Sequence, residues 1–185
     1  GQLHACSAAP AESAAVVMTG AVSIQTVPSS IRVDIVSSTP TVVARGQAEV
    51  FPMSLKYRHS DISPFTAPAR LDSIRVAIDD GKGTPIAANT VFSRVVLSTG
   101  YANLAVLENV PAEPTIVLTF TEPAVLMTGK DQVLSLHADI DSNATATSFA
   151  LAIPDAGSMR FSDCNSRNPI AIDPAVSFPL RTPAC

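Results

Sequence analysis

Asp139-Ile140-Asp141-Ser142-Asn143 is the sharpest local cluster of ligand-type side chains in this 185-residue chain. Oxygen-bearing side chains at i, i+2 and i+4 can converge on a hard cation such as Ca2+ when the backbone curls around it. Asp139, Asp141 and Asn143 are therefore the candidate metal ligands, and Ca2+ is the one cofactor they suggest. The pattern matches the first half of a calcium loop and then departs from it. Ala144 stands where the sharp-turn glycine belongs, and Ala150 where a bidentate acid belongs. The competing reading is a polar turn, because Asp and Asn side chains bond nearby backbone. Asn143-Ala144-Thr145 is also a glycosylation sequon, which suits an exposed loop of an exported protein.

Other chemistry is weaker. Asp79-Asp80-Gly81-Lys82-Gly83 lacks the flanking residues of a phosphate loop and reads as a hairpin turn. His4, His59 and His137 are far apart, with no metal-ligand spacing. His59, within Tyr57-Arg58-His59-Ser60-Asp61, reads as a solvated strand end. A serine–histidine–acid triad can be assembled on paper. Yet there is no nucleophile elbow and no glycine cluster for an oxyanion hole. No catalytic residue is assigned, and the chain is expected not to be an enzyme. Sugar-binding sandwiches rely on exposed aromatic platforms. Here there is no Trp, and Tyr57 and Tyr101 are the only tyrosines.

Three cysteines, Cys6, Cys164 and Cys185, leave one over in an exported chain. Cys164 and Cys185 are close in sequence and are expected to pair, closing a loop that contributes about 3 kcal/mol in the chain-entropy model. Cys6 is then a free thiol or a link to another chain, and pairings of Cys6 with either partner stay open.

Composition bounds the class. Hydrophobic residues make up 46%, enough for a core, while charged residues make up only 15%. Lys56, Lys82 and Lys130 are the only lysines. A surface covered by Ser, Thr, Ala, Asn and Pro suits an extracellular or cell-surface protein. The net charge of −4, with no basic cluster, gives nucleic acid no foothold. No apolar run reaches the roughly 18 residues that span a bilayer, so no membrane insertion is expected. The first residues also lack the basic start and apolar stretch of a signal peptide.

The elements that must position these groups are strands. Apolar residues alternate with others at Ile31–Ile35, Ile74–Ile78, Ile116–Phe120, Leu134–Leu136, Phe149–Ile153 and Val176–Leu180. Successive strand side chains face opposite ways, so each run sets one apolar row against a core. Turn signals separate the runs, and fifteen prolines oppose long helices. Helical turns are expected only within 87–93 and 102–108. The expected fold is an all-β antiparallel sandwich, immunoglobulin-like or jelly-roll-like. Pro52 predicts an edge or a bulge, and Pro179 does the same for the last strand. Residues 1–28 read as a flexible lead-in. It carries a candidate intersubunit donor strand at Val16, Val17, Val22 and Ile24. Residues 29–185 read as the sandwich.

Two segments carry a family likeness. The run Arg70-Leu-Asp-Ser-Ile-Arg-Val-Ala-Ile-Asp-Asp-Gly-Lys-Gly-Thr-Pro-Ile86 resembles a hairpin of bacterial cell-surface immunoglobulin-like modules. Residues 132–140 followed by 148–153 resemble their closing strands. Together they cover under a quarter of the chain. The resemblance implies an extracellular, modular, non-enzymatic role and assigns no functional residue. The expected function is a structural or adhesive surface module. Its partners would be copies of itself or neighbouring modules, and it could be a filament subunit assembling by strand addition. A Ca2+- or glycan-binding module is the alternative.

Overall fold

Period-2 alternation becomes strand wherever one row of side chains can be buried. The computed structural model describes residues 25–36, 40–61, 63 and 65–185. Its strands are β1 (Ile31–Ile35), β2 (Val50–His59), β3 (Ala69–Asp79), β4 (Phe92–Ser98) and β5 (Asn103–Leu107), then β6 (Thr115–Leu126), β7 (Asp131–Ile140), β8 (Ala150–Ile153), β9 (Met159–Asp163) and β10 (Leu180–Arg181). One five-stranded sheet runs β1-β2-β7-β4-β5. The other runs β10-β8-β3-β6, with β9 joining β3 beside β8. All strand pairs are antiparallel. The fold is the expected all-β antiparallel sandwich. Among the described residues, no helix is long and apolar enough to cross a membrane.

The inner rows meet in one core. Ile31, Leu55, Ile74, Val76, Ile116, Leu118, Leu134, Leu136, Leu151 and Ile153 are all buried. Each such side chain contributes about 1.5–3 kcal/mol by leaving water.

Several strands hide from the alternation rule. β2 carries Pro52 yet lies between β1 and β7; its pairing shifts register between Val50 and Met53, so the proline marks a bulge. In β4, Val95, Val96, Leu97 and Ser98 are all buried, which erases alternation. Residues 103–107 form β5, not the expected helical turn, whereas Ala88–Thr90 is a 3-10 turn. The run from Val176 shrinks to Leu180–Arg181 because Asp173 folds a turn, its carboxylate accepting the Ala175 N–H at 2.9 Å. His59 is 1% exposed, not solvated: its Nε2 lies 3.1 Å from the Ala67 carbonyl, and Asp61 N–H donates to Nδ1.

The expected Cys164–Cys185 bond does not form. Cys185 is a free thiol, whereas Cys164 is disulfide-bonded. The reason is topological. Cys164 N–H bonds the Pro68 carbonyl just before β3, while Cys185 pairs with Phe149, beside the far end of β3. The length of β3 separates them by roughly 35 Å, far beyond the ~7 Å limit for a disulfide. Cys6 lies outside the described residues.

The C-terminal strand is seated by Gly81 at φ +85°, where an added Cβ would come within 2.8 Å of the Ala184 Cβ. Lead-in residues join the fold earlier than expected. Thr26 bridges to Thr66, and Gln25 accepts a hydrogen bond from the Asn165 amide at 2.7 Å.

Candidate functional site

A cleft beside β9 combines apolar walls with unpaired charge. It forms because the chain leaves one sheet and crosses to the other within a few residues. At the end of β9, Asp163 nucleates a tight hairpin: its Oδ1 accepts the N–H groups of Asn165 at 2.9 Å and Ser166 at 2.6 Å. Arg167 adopts φ +63° at the turn. The returning strand bonds β9 through Ile170 N–H to the Phe161 carbonyl at 3.0 Å. One residue later the chain is on the opposite sheet, where Ala171 accepts from Ile31 N–H at 3.0 Å and Asp173 N–H donates to Ile31 at 2.9 Å.

That divergence opens a cavity of about 840 Å3 lined by Met159, Phe161, Ile170 and Ile172, with Arg160 and Arg167 at its wall. Arg32, Arg58, Arg70, Arg75, Arg94 and Arg181 each face a carboxylate. Arg45, Arg160 and Arg167 face none among the described residues and are exposed; of the three, Arg160 and Arg167 border this cavity. Asp72, also at the wall, is already held by Arg70 and by the Ser162 hydroxyl at 3.1 Å. Two free guanidinium groups beside an apolar slot suit a carboxylate attached to an apolar chain. Asp163 is 1% exposed, and its Oδ2 has no hydrogen-bond partner.

The candidate Ca2+ ligands are not gathered. Asp139 sits on β7, its Oδ1 accepting Glu49 N–H at 2.8 Å and its Oδ2 lying 3.9 Å from Arg94. Asp141 Oδ1 instead accepts Asn143 N–H at 2.6 Å, the geometry of a polar turn. Asn143 is exposed in the β7–β8 turn, as a glycosylation acceptor requires. Among the described residues no group of three His, Cys, Asp or Glu side chains could hold a metal ion. The Asp79-Asp80 carboxylates are spent on backbone N–H groups of Gly81, Lys82, Gly83 and Thr84, closing the expected hairpin turn. Val16, Val17, Val22 and Ile24 lie outside the described residues.

Sequence reasoning missed one pair. Ser98 Oγ lies 2.8 Å from His137 Nε2, and the imidazole packs at a tilt against Phe51, with ring centroids 4.1 Å apart and planes at 49°. Ser98 is 4% exposed, so its hydroxyl is spent on the ring and has little access to a substrate. Only the β4–β7 register, which sets Ser98 beside Ser135 and Val96 beside His137, brings these residues together. The arginines of the cleft were equally hidden, since their significance lies in lacking partners.

No family model matches the chain, and neither a curated protein nor a solved structure matches it.

Proposed function

We infer that this chain is an extracellular structural or adhesive module that takes a segment of a neighbouring protein copy into the cleft beside β9. The observation that carries this reading is the pairing of apolar walls with Arg160 and Arg167, which have no carboxylate partner among the described residues. An extended segment gains affinity from its backbone and specificity from alternate side chains in a groove. Glu12 is the only Asp, Glu, Lys or Arg between residues 1 and 24, and the apolar Val16, Val17, Val22 and Ile24 follow it. That segment has the composition the cleft calls for. A segment seated in a neighbour's cleft is a head-to-tail contact, which builds rings or open filaments. The low charge of the surface and the likeness of residues 70–86 to bacterial surface modules point to the same setting.

Mixing tests this. Full-length Glu12→Arg and Arg160→Glu/Arg167→Glu proteins should each fail to assemble alone, yet assemble when mixed, as followed by sedimentation velocity. Close charge pairs across an interface support losses on the order of tenfold or more. Assembly of either variant alone as well as wild type would overturn the reading. So would failure of the mixture to recover, because that places the segment on its own molecule.

A further inference from the structure

We propose that the outer edge of β6 is a second, self-complementary interface through which two copies of this chain pair about a two-fold axis centred on Val117. β3 uses only one row of the β6 backbone groups. Ile78 N–H bonds the Pro114 carbonyl at 2.8 Å, and the register runs Val76 to Ile116 and Ile74 to Leu118. Hydrogen-bonded pairs recur every second residue along an antiparallel ladder. The N–H and C=O groups of Ile116 and Leu118 therefore face β3, and those of Thr115, Val117 and Thr119 point off the edge. β6 ends its sheet, and none of the three has a backbone partner among the described residues.

The edge is bare in other ways. Val117 is 58% exposed, and Thr119 and Thr121 are exposed too. Edge strands ordinarily carry lysine, proline or a bulge to discourage pairing. From Thr115 to Thr119 this edge has none of these; the β3 ladder breaks register only between Thr119 and Ala124, the stretch that holds Glu122 and Pro123.

The local sequence Thr115-Ile116-Val117-Leu118-Thr119 then meets itself. Antiparallel pairing of Val117 with the second copy's Val117 sets Thr115 opposite Thr119 in both directions. Each of the three facing pairs exchanges two N–H···O bonds and saturates every free group named above. Threonine pairs and β-branched pairs are favourable across strands. Glu113 falls opposite Thr121, and Glu122 opposite Ala112, so no like charges face each other. A two-fold contact of this kind is the commonest form of self-association. It joins the two β3-containing sheets into one continuous sheet and leaves the β9 cleft open in both copies.

Sedimentation velocity of the full chain across a wide concentration range tests this, with thermal unfolding as the folding control. The starting protein is Arg160→Glu/Arg167→Glu, in which any contact through the cleft is removed. It is expected to show a reversible monomer–dimer equilibrium. Val117→Lys, which sets two ammonium groups opposite each other, should weaken dimerisation tenfold or more while melting normally. The register has its own check. Thr115→Lys and Thr119→Glu should each lose little when combined in one chain, because the two charges then face each other across the axis. Thr115→Lys/Thr119→Lys should lose as much as Val117→Lys. A chain that stays monomeric at every concentration overturns the proposal, as does a dimer indifferent to Val117→Lys. Equal losses in the two double variants would overturn the register centred on Val117. Because the cleft arginines are already replaced, failure here leaves the reading of the cleft standing, and the reverse holds too.

Discussion

The two flanks of the sandwich are built to opposite rules. On one, β1 and β10 end their sheets, and the chain repeatedly crosses between them: Ile170 bonds β9, Ala171 and Asp173 bond β1, and the C-terminal residues run beside β8. On the other, β5 and β6 end their sheets side by side with no ladder between them. The first flank spends its backbone groups internally and leaves a pocket of side chains. The second leaves backbone groups free along the outer edge of β6. The difference teaches that one fold can offer two kinds of contact, one read by side-chain charge and one by strand pairing.

The largest effect should come from breaking the crossed flank. Phe161 is 4% exposed and packs against Tyr57, with ring centroids 5.8 Å apart. Phe161→Ala should cost about 3–5 kcal/mol, the usual penalty for emptying an aromatic site in a core. Urea unfolding followed by circular dichroism measures it. A loss below about 1 kcal/mol would mean that β9 is only loosely attached to the core.

Next in size is the hairpin that shapes the cleft. Removing Asp163 strands the N–H groups of Asn165 and Ser166. Asp163→Ala should cost roughly 1–3 kcal/mol, the range for buried groups that lose a partner. Asp163→Asn keeps an acceptor and removes a buried charge whose Oδ2 is unpartnered, so it should cost clearly less. Equal losses from the two would mean that the carboxylate charge itself holds the turn.

These two residues also show what sequence reveals. The apolar row of β3 was legible because Ile74, Val76 and Ile78 bury one face only. β4 was not, because both its faces are covered. Phe161 sits in the alternation Met159-Arg160-Phe161-Ser162, which is too short to stand out as a strand in sequence. Asp163 closes β9 and opens a turn whose chemistry resembles many others. The candidate Ca2+ residues were found by spacing, but spacing carries no information about the β2 bulge that brings the Glu49 N–H onto Asp139. The Cys164–Cys185 expectation failed for a similar reason: closeness in sequence says nothing about which end of β3 each cysteine adjoins.

Acid should loosen the crossed flank. Asp79 ties β3 to β10 through Arg181, at 2.6 and 3.1 Å. Burial pushes its carboxyl up, but the Arg181 hydrogen bond and the Gly81 N–H outweigh burial and hold it below the usual carboxylate range. A carboxylate held low in the folded state contributes stability that is present above about pH 4 and is lost as pH falls through the folded value. On the face of the other sheet, the Arg58 and Lys56 hydrogen bonds hold Asp131 well below that range. Asp79→Asn should lower the melting temperature at pH 7 and flatten its decline below about pH 4. A decline as steep as in wild type would assign acid sensitivity to other carboxylates.

The smallest effect should be at Val117, and its smallness is the point. Half-exposed and at a free edge, the side chain loses little water contact on folding, and its backbone groups make no bond to β3. Val117→Ala in dilute solution should change stability by no more than about 0.5 kcal/mol, as surface substitutions usually do. The same change at high concentration should cost more, because the isopropyl groups of two copies would then be packed together. Urea unfolding at two concentrations a hundredfold apart separates the terms. A penalty independent of concentration would mean that Val117 serves its own sheet, and the contrast between the flanks would reduce to one of exposure.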